Sequence, residues 1–413
     1  PHFEKMLYDN AQLLSVYSNG YKLFKEDRFL KELHNIYNFL DSKMTGDNGL
    51  IFSSISADTN YSDGTKSEGD FYVWKEDELK NILKKDFDWV SEYYNINQKG
   101  YWEKDNYVFY QTISDAEFAS KLGISLAEFE KKLSKVNLSI RKEREKRVHP
   151  IIDNKIIFSW NALTIRGLVD SYKITKDQKF LTKALVINNS LVKNMISKNI
   201  IQHTNSNFSS VLFLEDYSYY IDALIGLYEV TFDQKFLNFA DQLTVFTNEK
   251  FKELNGFYRF STNQQTLFAD SLIDLVDGVT PSANSVMNFN LFRLGHYYGN
   301  KEYLLQSKEM INNISDNLND RVTDHLLWLN NSHNYSQKFY ELAISGKNAT
   351  SKANELMEKY LPKALIAASN TKSDLYLLKD RYFDDETYIY VCVDNTCKFP
   401  VTTAPEAIEL MSD

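Results

Sequence analysis

Four nine-residue segments of this chain share one pattern, and they constrain its fold more than any other feature. They are Lys22–Leu30 (KLFKEDRFL), Lys173–Leu181 (KITKDQKFL), Glu229–Leu237 (EVTFDQKFL) and His296–Leu304 (HYYGNKEYL). Each follows a stretch of helical periodicity and precedes another. In Trp160–Tyr172, Leu163, Ile165, Leu168 and Val169 are apolar; in Tyr217–Tyr228, Tyr220, Ile221, Leu224, Leu227 and Tyr228 recur at spacings that fall on one helix face. A second helix follows each linker, as at Phe236–Phe246. The unit is therefore an αα-hairpin. Successive copies lie 56 and 67 residues apart from the second to the fourth, longer than the ~34–47 residues usual for helical solenoid repeats. That length predicts a mainly α, (α/α) toroid, in which one helix of each pair lines the inside.

Two regions interrupt the pattern. Residues 46–75, rich in Gly, Ser, Asp and Asn, read as an inserted loop carrying a hairpin, with β-like pieces at Leu50–Ser53 and Phe71–Trp74. Helices are expected at Asp115–Leu122, capped by Ser114, and at Leu126–Arg147. Beyond residue 335 a small α/β segment is predicted: strands at Lys338–Ile344, Ala364–Ala368 and Tyr388–Val393, and helices at Ser351–Tyr360 and Pro405–Met411. The expected domains are 1–335, the toroid with its inserted loop, and 336–413.

The net charge of −9 and the absence of a basic block argue against nucleic acid as a partner. The densest basic run, Arg141–Arg147, is broken by Glu and reads as a solvated helix face. No apolar run is long enough to span a membrane, and no signal peptide is visible; with only two cysteines, a cytosolic setting is the expectation. The opening Pro1-His2-Phe3, without Met, reads as the start of a piece of a longer protein.

A toroid gathers its loops and the N-termini of its inner helices at one mouth, where a site is expected. Five polar clusters fall at such positions. His2, Glu4 and Asp9 suit a general acid or base with partners, or surface charge and helix capping. Glu68 lies with Tyr72 and Trp74, carboxylate beside an aromatic platform, or a hairpin with one apolar face. Asp153, Trp160 and Asn161 surround a helix start that Ser159 can cap. Asn161 has poor helix propensity there, which suggests a hydrogen-bonding role. Glu215, Asp216 and Tyr217 place two acids where the helix dipole favours them, or where they face a ligand. Asp277 and Asn284 flank an ordinary Pro-Ser helix start, or grip hydroxyls.

No metal-binding, phosphate-loop or nucleophile-elbow motif occurs, so neither metal nor cofactor is expected. Cys392 and Cys397 would face each other across a hairpin turning at Asp394-Asn395. Opposed Cβ atoms stand ~4.5–5.5 Å apart, slightly wider than a disulfide prefers; a reversible disulfide is the alternative, and in a reducing compartment two free thiols are expected.

The motifs PHFEKMLYDNAQLL (1–14), EGDFYVW (68–74), DNKIIFSWNAL (153–163), LEDYSYYIDAL (214–224), DGVTPSANSV (277–286) and VCVDNTCKFPVT, taken in order, resemble one family closely. It is the thioredoxin-fused family that includes spermatogenesis-associated protein 20 and the bacterial YyaL proteins. The resemblance implies an (α/α)6-type toroid, similar to six-hairpin glycosidases and N-acylglucosamine 2-epimerases. It also implies a thioredoxin-like domain, and first toroid helices, that this chain lacks. Asn154, Ala162 and Ala283 depart from the Asp, Gly and Gly usual in the family motifs, and the first removes a carboxylate.

The expected function is a carbohydrate-active or carbohydrate-binding toroid with a sugar-like small molecule as ligand. A glycoside hydrolase needs two carboxyl groups ~5–9.5 Å apart, with Glu215 or Asp216 opposed by Glu4, Asp9 or Glu68. An epimerase needs a base on each face of the reacting carbon, and His2 is the histidine within a motif. The alternative is a non-catalytic domain that recognises a client or metabolite for the thioredoxin-like domain, with Cys392 and Cys397 as a redox pair.

Overall fold

The computed structural model describes residues 2–206, 210–262, 272–394 and 396–412. The chain divides into two compact units, one of residues 1–6 with 54–153 and one of residues 7–53 with 154–413. Helices α1 (Leu7–Phe24) and α2 (Asp27–Phe39) open the second unit. Helices α3 (Glu76–Leu83), α4 (Phe87–Tyr93), α5 (Asp115–Lys121) and α6 (Leu126–Arg144) build the first. The chain then returns through α7 (Phe158–Thr175), α8 (Gln178–Met195), α9 (Leu214–Thr231), α10 (Gln234–Phe251), α11 (Ala283–Tyr298), α12 (Lys301–Asp320) and α13 (Leu326–Ser336). Helices α14 (Ala349–Met357) and α15 (Ala404–Met411) close it.

In the second unit α1, α7, α9 and α11 pack side by side in that order, and α2, α8, α10 and α12 each lie against the partner that precedes them. Burial separates the two layers. Fourteen of the eighteen residues of α9 are buried, against seven of eighteen in α10. A helix apolar on all sides belongs inside, and one with a single apolar stripe belongs outside. This double layer of hairpins is the (α/α) toroid class. Gly167 sets the spacing of α1 and α7, because a Cβ there would stand 2.3 Å from the carbonyl oxygen of Ala11.

All four repeated segments are the turns within these hairpins, and their chemistry explains the pattern. Lys25, Lys176, Phe232 and Gly299 take left-handed backbone angles after the inner helix, the geometry that ends a helix and turns the chain. The next residue begins the outer helix. Asp177 and Asp233 accept the backbone N–H groups of Lys179 and Lys235 at 3.1 Å, and Asn300 accepts that of Glu302 at 3.0 Å.

A β-hairpin follows three of the outer helices. Bridges pair Thr45 with Ile51, Ile196 with Ile201, and Lys252 with Tyr258. Gly49 and Gly256 supply the positive φ angles of the first and third.

The C-terminal segment belongs to the second unit and does not stand apart from it. Its sheet has the order 364–369, 340–345, 388–393, 396–397, the first pair parallel and the others antiparallel. Helix α14 crosses over between the parallel strands, and the sheet, α14 and α15 share one apolar core. The segment meets every inner-helix turn. Lys25 and Lys176 donate to the carbonyl oxygens of Glu358 and Asn354, Phe232 packs on the core, and Tyr376 lies against Gly299. These contacts, invisible to local periodicity, make it a cap on the turn end of the inner helices.

The first unit is also larger than the loop expected at 46–75. Two apolar clusters hold it, one around Trp74, Leu79, Val90 and Ile140, the other around Tyr93, Phe118 and Phe129. Strands 5–6, 54–55 and 152–153 form a three-stranded sheet. Helices α5 and α6 each start on a capping box, Ser114 with Glu117 and Ser125 with Glu128. The run Arg141–Arg147 is not simply a solvated face. Arg147 donates to the carbonyl oxygens of Asp70 (2.9 Å), Phe71 (3.2 Å) and Val73 (2.7 Å), pairs with both oxygens of Glu78, and lies 3.9 Å over the Trp74 ring. Among the described residues, no helix is long and apolar enough to cross a membrane.

Candidate functional site

The N-terminal turns of α7 and α9 and the segment between α8 and α9 bring four polar side chains together. Asp216, 1% exposed, accepts the backbone N–H of Ser159 at 3.1 Å and faces His203 Nδ1 at 3.0 Å. Glu215 accepts the Ser159 hydroxyl at 3.2 Å and lies 3.7 Å from the same His203 nitrogen. Ser159 thus does not cap its own helix, as its position suggested. The cap residue is Ile157, and Asp216 of the neighbouring helix satisfies the free N–H. His203 is fixed by its backbone too, its carbonyl accepting the N–H of Phe158 at 2.9 Å. With carboxylate oxygens around Nδ1, that nitrogen carries the proton, which leaves Nε2 to exchange one.

Burial and the neighbouring Asp216 charge push the Glu215 carboxyl from 4.5 up to about 7. Burial raises Asp216 as well, against the opposing hydrogen bond from His203. Burial alone would lower His203, but the bond and charge of Asp216, and then Glu215, raise it. All three groups are thus raised from their ordinary values by burial or by one another's charge. His203, Glu215 and Asp216 also offer three ligand atoms within 4.8 Å of one another, the set among the described residues that could hold a cation. No sequence motif marked His203; it sits between α8 and α9, where helical periodicity is silent.

The other expected residues divide by position. His2, Glu4 and Glu68 are exposed in the first unit, and Asp9 is exposed in the first turn of α1. Tyr72 is held between the Phe3 ring, 6.0 Å away, and Lys5 Nζ, 4.4 Å from its ring centre. Trp74 is buried under Arg147, and Asp153 pairs with Ser54 in the small sheet. Trp160 packs edge-on against Tyr8.

Asn161, Tyr217 and Asn284 play the same structural part, because α7, α9 and α11 each use one of them to hold the β-hairpin of the preceding repeat. Asn161 accepts the N–H of Ile51 and donates to its carbonyl. Tyr217 accepts the N–H of Ile201 and donates to the carbonyl of Asn199. Asn284 accepts the N–H of Tyr258 and donates to the carbonyls of Tyr258 and Asp274. Asp277 is engaged by the N–H groups of Ser282 and Leu327 and the Ser285 hydroxyl. The unfavourable helix propensity of Asn161 is explained by this clamp.

A second polar constellation lies deeper along the inner helices. Ser159, Arg166 and Lys173 recur every seven residues on α7, and Glu215, Asp222 and Glu229 do so on α9. Seven residues are two turns, about 10.5 Å along one face. Arg166 pairs with Asp170 (3.2 Å) and Asp222 (3.3 Å), Lys173 with Glu229 (2.6 Å), and Arg293 with Asp222 (2.5 Å). Burial would raise Asp170 and Glu229, but the surrounding cations hold both far below the usual carboxylate range. The seven-residue spacing of charge in otherwise apolar helices is the signal that could have found this network.

At the C-terminal hairpin Cys392 faces Cys397 in the expected register, and the two sulfurs are bonded, not free. Asn395, the second expected turn residue, lies outside the described residues. The Arg381 guanidinium reaches both sulfurs, at 3.5 Å and 3.2 Å.

The fold and these sites define an (α/α) toroid of helical hairpins with a hydrogen-bonded His203–Glu215–Asp216 cluster at the inner-helix N-termini. The chain is similar along its whole length to spermatogenesis-associated protein 20, its homologue, at 25% identity in Homo sapiens and 24% in Rattus norvegicus. It is 29% identical, over 77% of its length, to an uncharacterized protein of Caenorhabditis elegans. It spans about half the length of these relatives, 58% of the first two and 48% of the third. No family model matches. Among solved structures, cellobiose 2-epimerase from Bacillus thermoamylovorans aligns over 76% of this chain and 61% of its own, with a TM-score of 0.46 and 12% identity. A family 76 α-mannanase from Bacteroides thetaiotaomicron aligns over 76% and 75%, with a TM-score of 0.34 and 14% identity.

Proposed function

We propose that the chain acts on, or binds, a sugar-like polyol at the Glu215–Asp216–His203 triad, with Glu215 as general acid–base. The observation that carries this reading is the Glu215 carboxyl itself. It is largely buried and raised to about 7, so it both gives and accepts protons at neutral pH. Asp216, already engaged by Ser159 and His203, is the positioning group. His203 Nε2 is the second proton-exchanging atom, as an epimerisation or isomerisation of a sugar requires. Glu215 and Asp216, adjacent on one helix turn, are not themselves an opposed carboxyl pair; Asp274, whose charge reaches Glu215, is the remaining carboxyl for a hydrolytic pair. A thermal-shift screen against mono- and disaccharides, with Glu215→Gln in parallel, tests the reading. A sugar that stabilises the parent and not the variant supports it. Equal shifts in both, or none in either, remove Glu215 from the ligand site.

The Cys392–Cys397 pair favours a second role beside the first. A guanidinium against both sulfurs stabilises thiolates. The pair then accepts two electrons and two protons from the dithiol of a thioredoxin-like partner, which leaves as its disulfide. Alkylation and mass spectrometry after exposure to reduced thioredoxin test this; an unreacted pair argues against it.

A further inference from the structure

Beneath the C-terminal segment the inner helices enclose a cavity of about 310 Å³, lined by Lys22, Arg166, Asp170, Lys173, Glu229 and Arg293, near the small end of ligand pockets. Residues of the C-terminal segment, Tyr360, Leu361 and Pro362 among them, complete the wall. Five cations, Lys22, Arg166, Lys173, Arg293 and Lys359, and two carboxylates, Asp170 and Glu229, line it, and a third carboxylate, Asp222, pairs with Arg166 and Arg293. The carboxylates are engaged by Arg166, Lys173 and one nitrogen of Arg293. Lys22 has no ion-pair partner among the described residues. Arg293 is 3% exposed, and its Nε and Nη1 have no hydrogen-bond partner. Its Nη1 stands 3.6 Å from Glu229, within reach of charge attraction but not of a hydrogen bond. Its remaining nitrogen is fixed by Asp222 and Asn290, and its plane by the Phe289 ring at 4.3 Å.

A buried guanidinium with two donor nitrogens unused, in a cavity where cations outnumber carboxylates, has hydrogen-bonding capacity left for an anionic acceptor. We propose that this cavity is a second ligand site, taking the oxyanion group of a small molecule, a phosphate monoester or a carboxylate, between Arg293 and Lys22. Burial and the neighbouring Lys173 charge lower the Lys22 ammonium to about 8, and a bound anion would relieve that repulsion. The site is independent of the Glu215 triad and does not rest on the sugar reading. The ion pairs of Arg166 and Lys173 would hold the wall in place with the cavity empty or filled.

The test is calorimetry and thermal shift of the full chain with inorganic phosphate and with acetate, at constant ionic strength in chloride. The variants are Lys22→Met and Arg293→Lys. Lys22 is half-buried without an ion pair, so Lys22→Met keeps the fold; unchanged circular dichroism confirms it. Phosphate or acetate is expected to bind and to raise the melting temperature by at least 2 °C, with affinity at least tenfold weaker in each variant. Binding of phosphate with acetate silent assigns a phosphoryl group, and the reverse a carboxylate. Failure of both anions to bind overturns the proposal. So does undiminished binding in Lys22→Met, which would place the anion elsewhere on the surface.

Discussion

Asp216, in the first turn of α9, accepts the backbone N–H of Ser159, in the first turn of α7, at 3.1 Å. One inner helix thus caps the one before it, through a residue that also holds His203. Asp216→Ala leaves a buried N–H unpaired, and the expected loss is about 1–3 kcal/mol of stability. Chemical denaturation measures it. A change below about 0.5 kcal/mol would mean that Asp216 serves a ligand and not the helix.

Glu215 has its folded-state pKa raised from 4.5 to about 7. The folded chain therefore holds a proton that the unfolded chain releases earlier. This contribution is fully present below pH 4.5 and is lost as pH rises through 7. Glu215→Gln keeps the shape without the titration. Melting temperatures measured from pH 4.5 to 8 should fall less steeply in the variant than in the parent.

Gly167 faces the Ala11 carbonyl so closely that no methyl group fits. Gly167→Ala forces α1 and α7 apart, and overpacking of this kind costs roughly 1–3 kcal/mol. A stabilised variant, as simple helix propensity predicts, would show that the helices can part freely.

Asn284 both accepts and donates, and a carboxylate cannot donate. Asn284→Asp should therefore lose about 1–3 kcal/mol through the unpaired carbonyls of Tyr258 and Asp274. Binding of any sugar identified in the screen should survive in the remaining folded protein. Lost binding with unchanged stability would return Asn284 to the ligand site.

Arg147 donates from Nη2 to both Glu78 oxygens and from Nη1 to three carbonyls, and stacks on Trp74. Lysine supplies charge without the planar fork. Arg147→Lys should speed hydrogen exchange in residues 71–83 of the first unit and leave exchange in α9 unchanged. Equal exchange in parent and variant would reduce Arg147 to a surface charge.

The hairpin turns were readable in the sequence because a left-handed residue followed by a capping Asp or Asn is a local event. So was the cysteine register, which depends on the hairpin alone. The acids Glu215 and Asp216 were visible at a helix start, but His203 was not, since only the return of the chain from α8 brings it to them. The same blindness hid the Arg166, Asp222 and Arg293 network. Charges one and two heptads inside an apolar helix carry no capping signal, and their partners sit on other helices. The first unit was underestimated because its core comes from short helices and two-residue strands, none periodic for long. The clamps of Asn161 and Asn284 read as ligand contacts because an unfavourable Asn advertises a partner without saying whether that partner is backbone or substrate.

Those clamps bear on how the ring assembles. Asn161 grips the hairpin behind α2, Tyr217 the one behind α8, and Asn284 the one behind α10. Each hairpin unit thus finishes its own hydrogen bonding only when its successor arrives. Order should spread along the chain as in a one-dimensional lattice with nearest-neighbour coupling, and a ribosome releasing the units in sequence would see each one locked by the next.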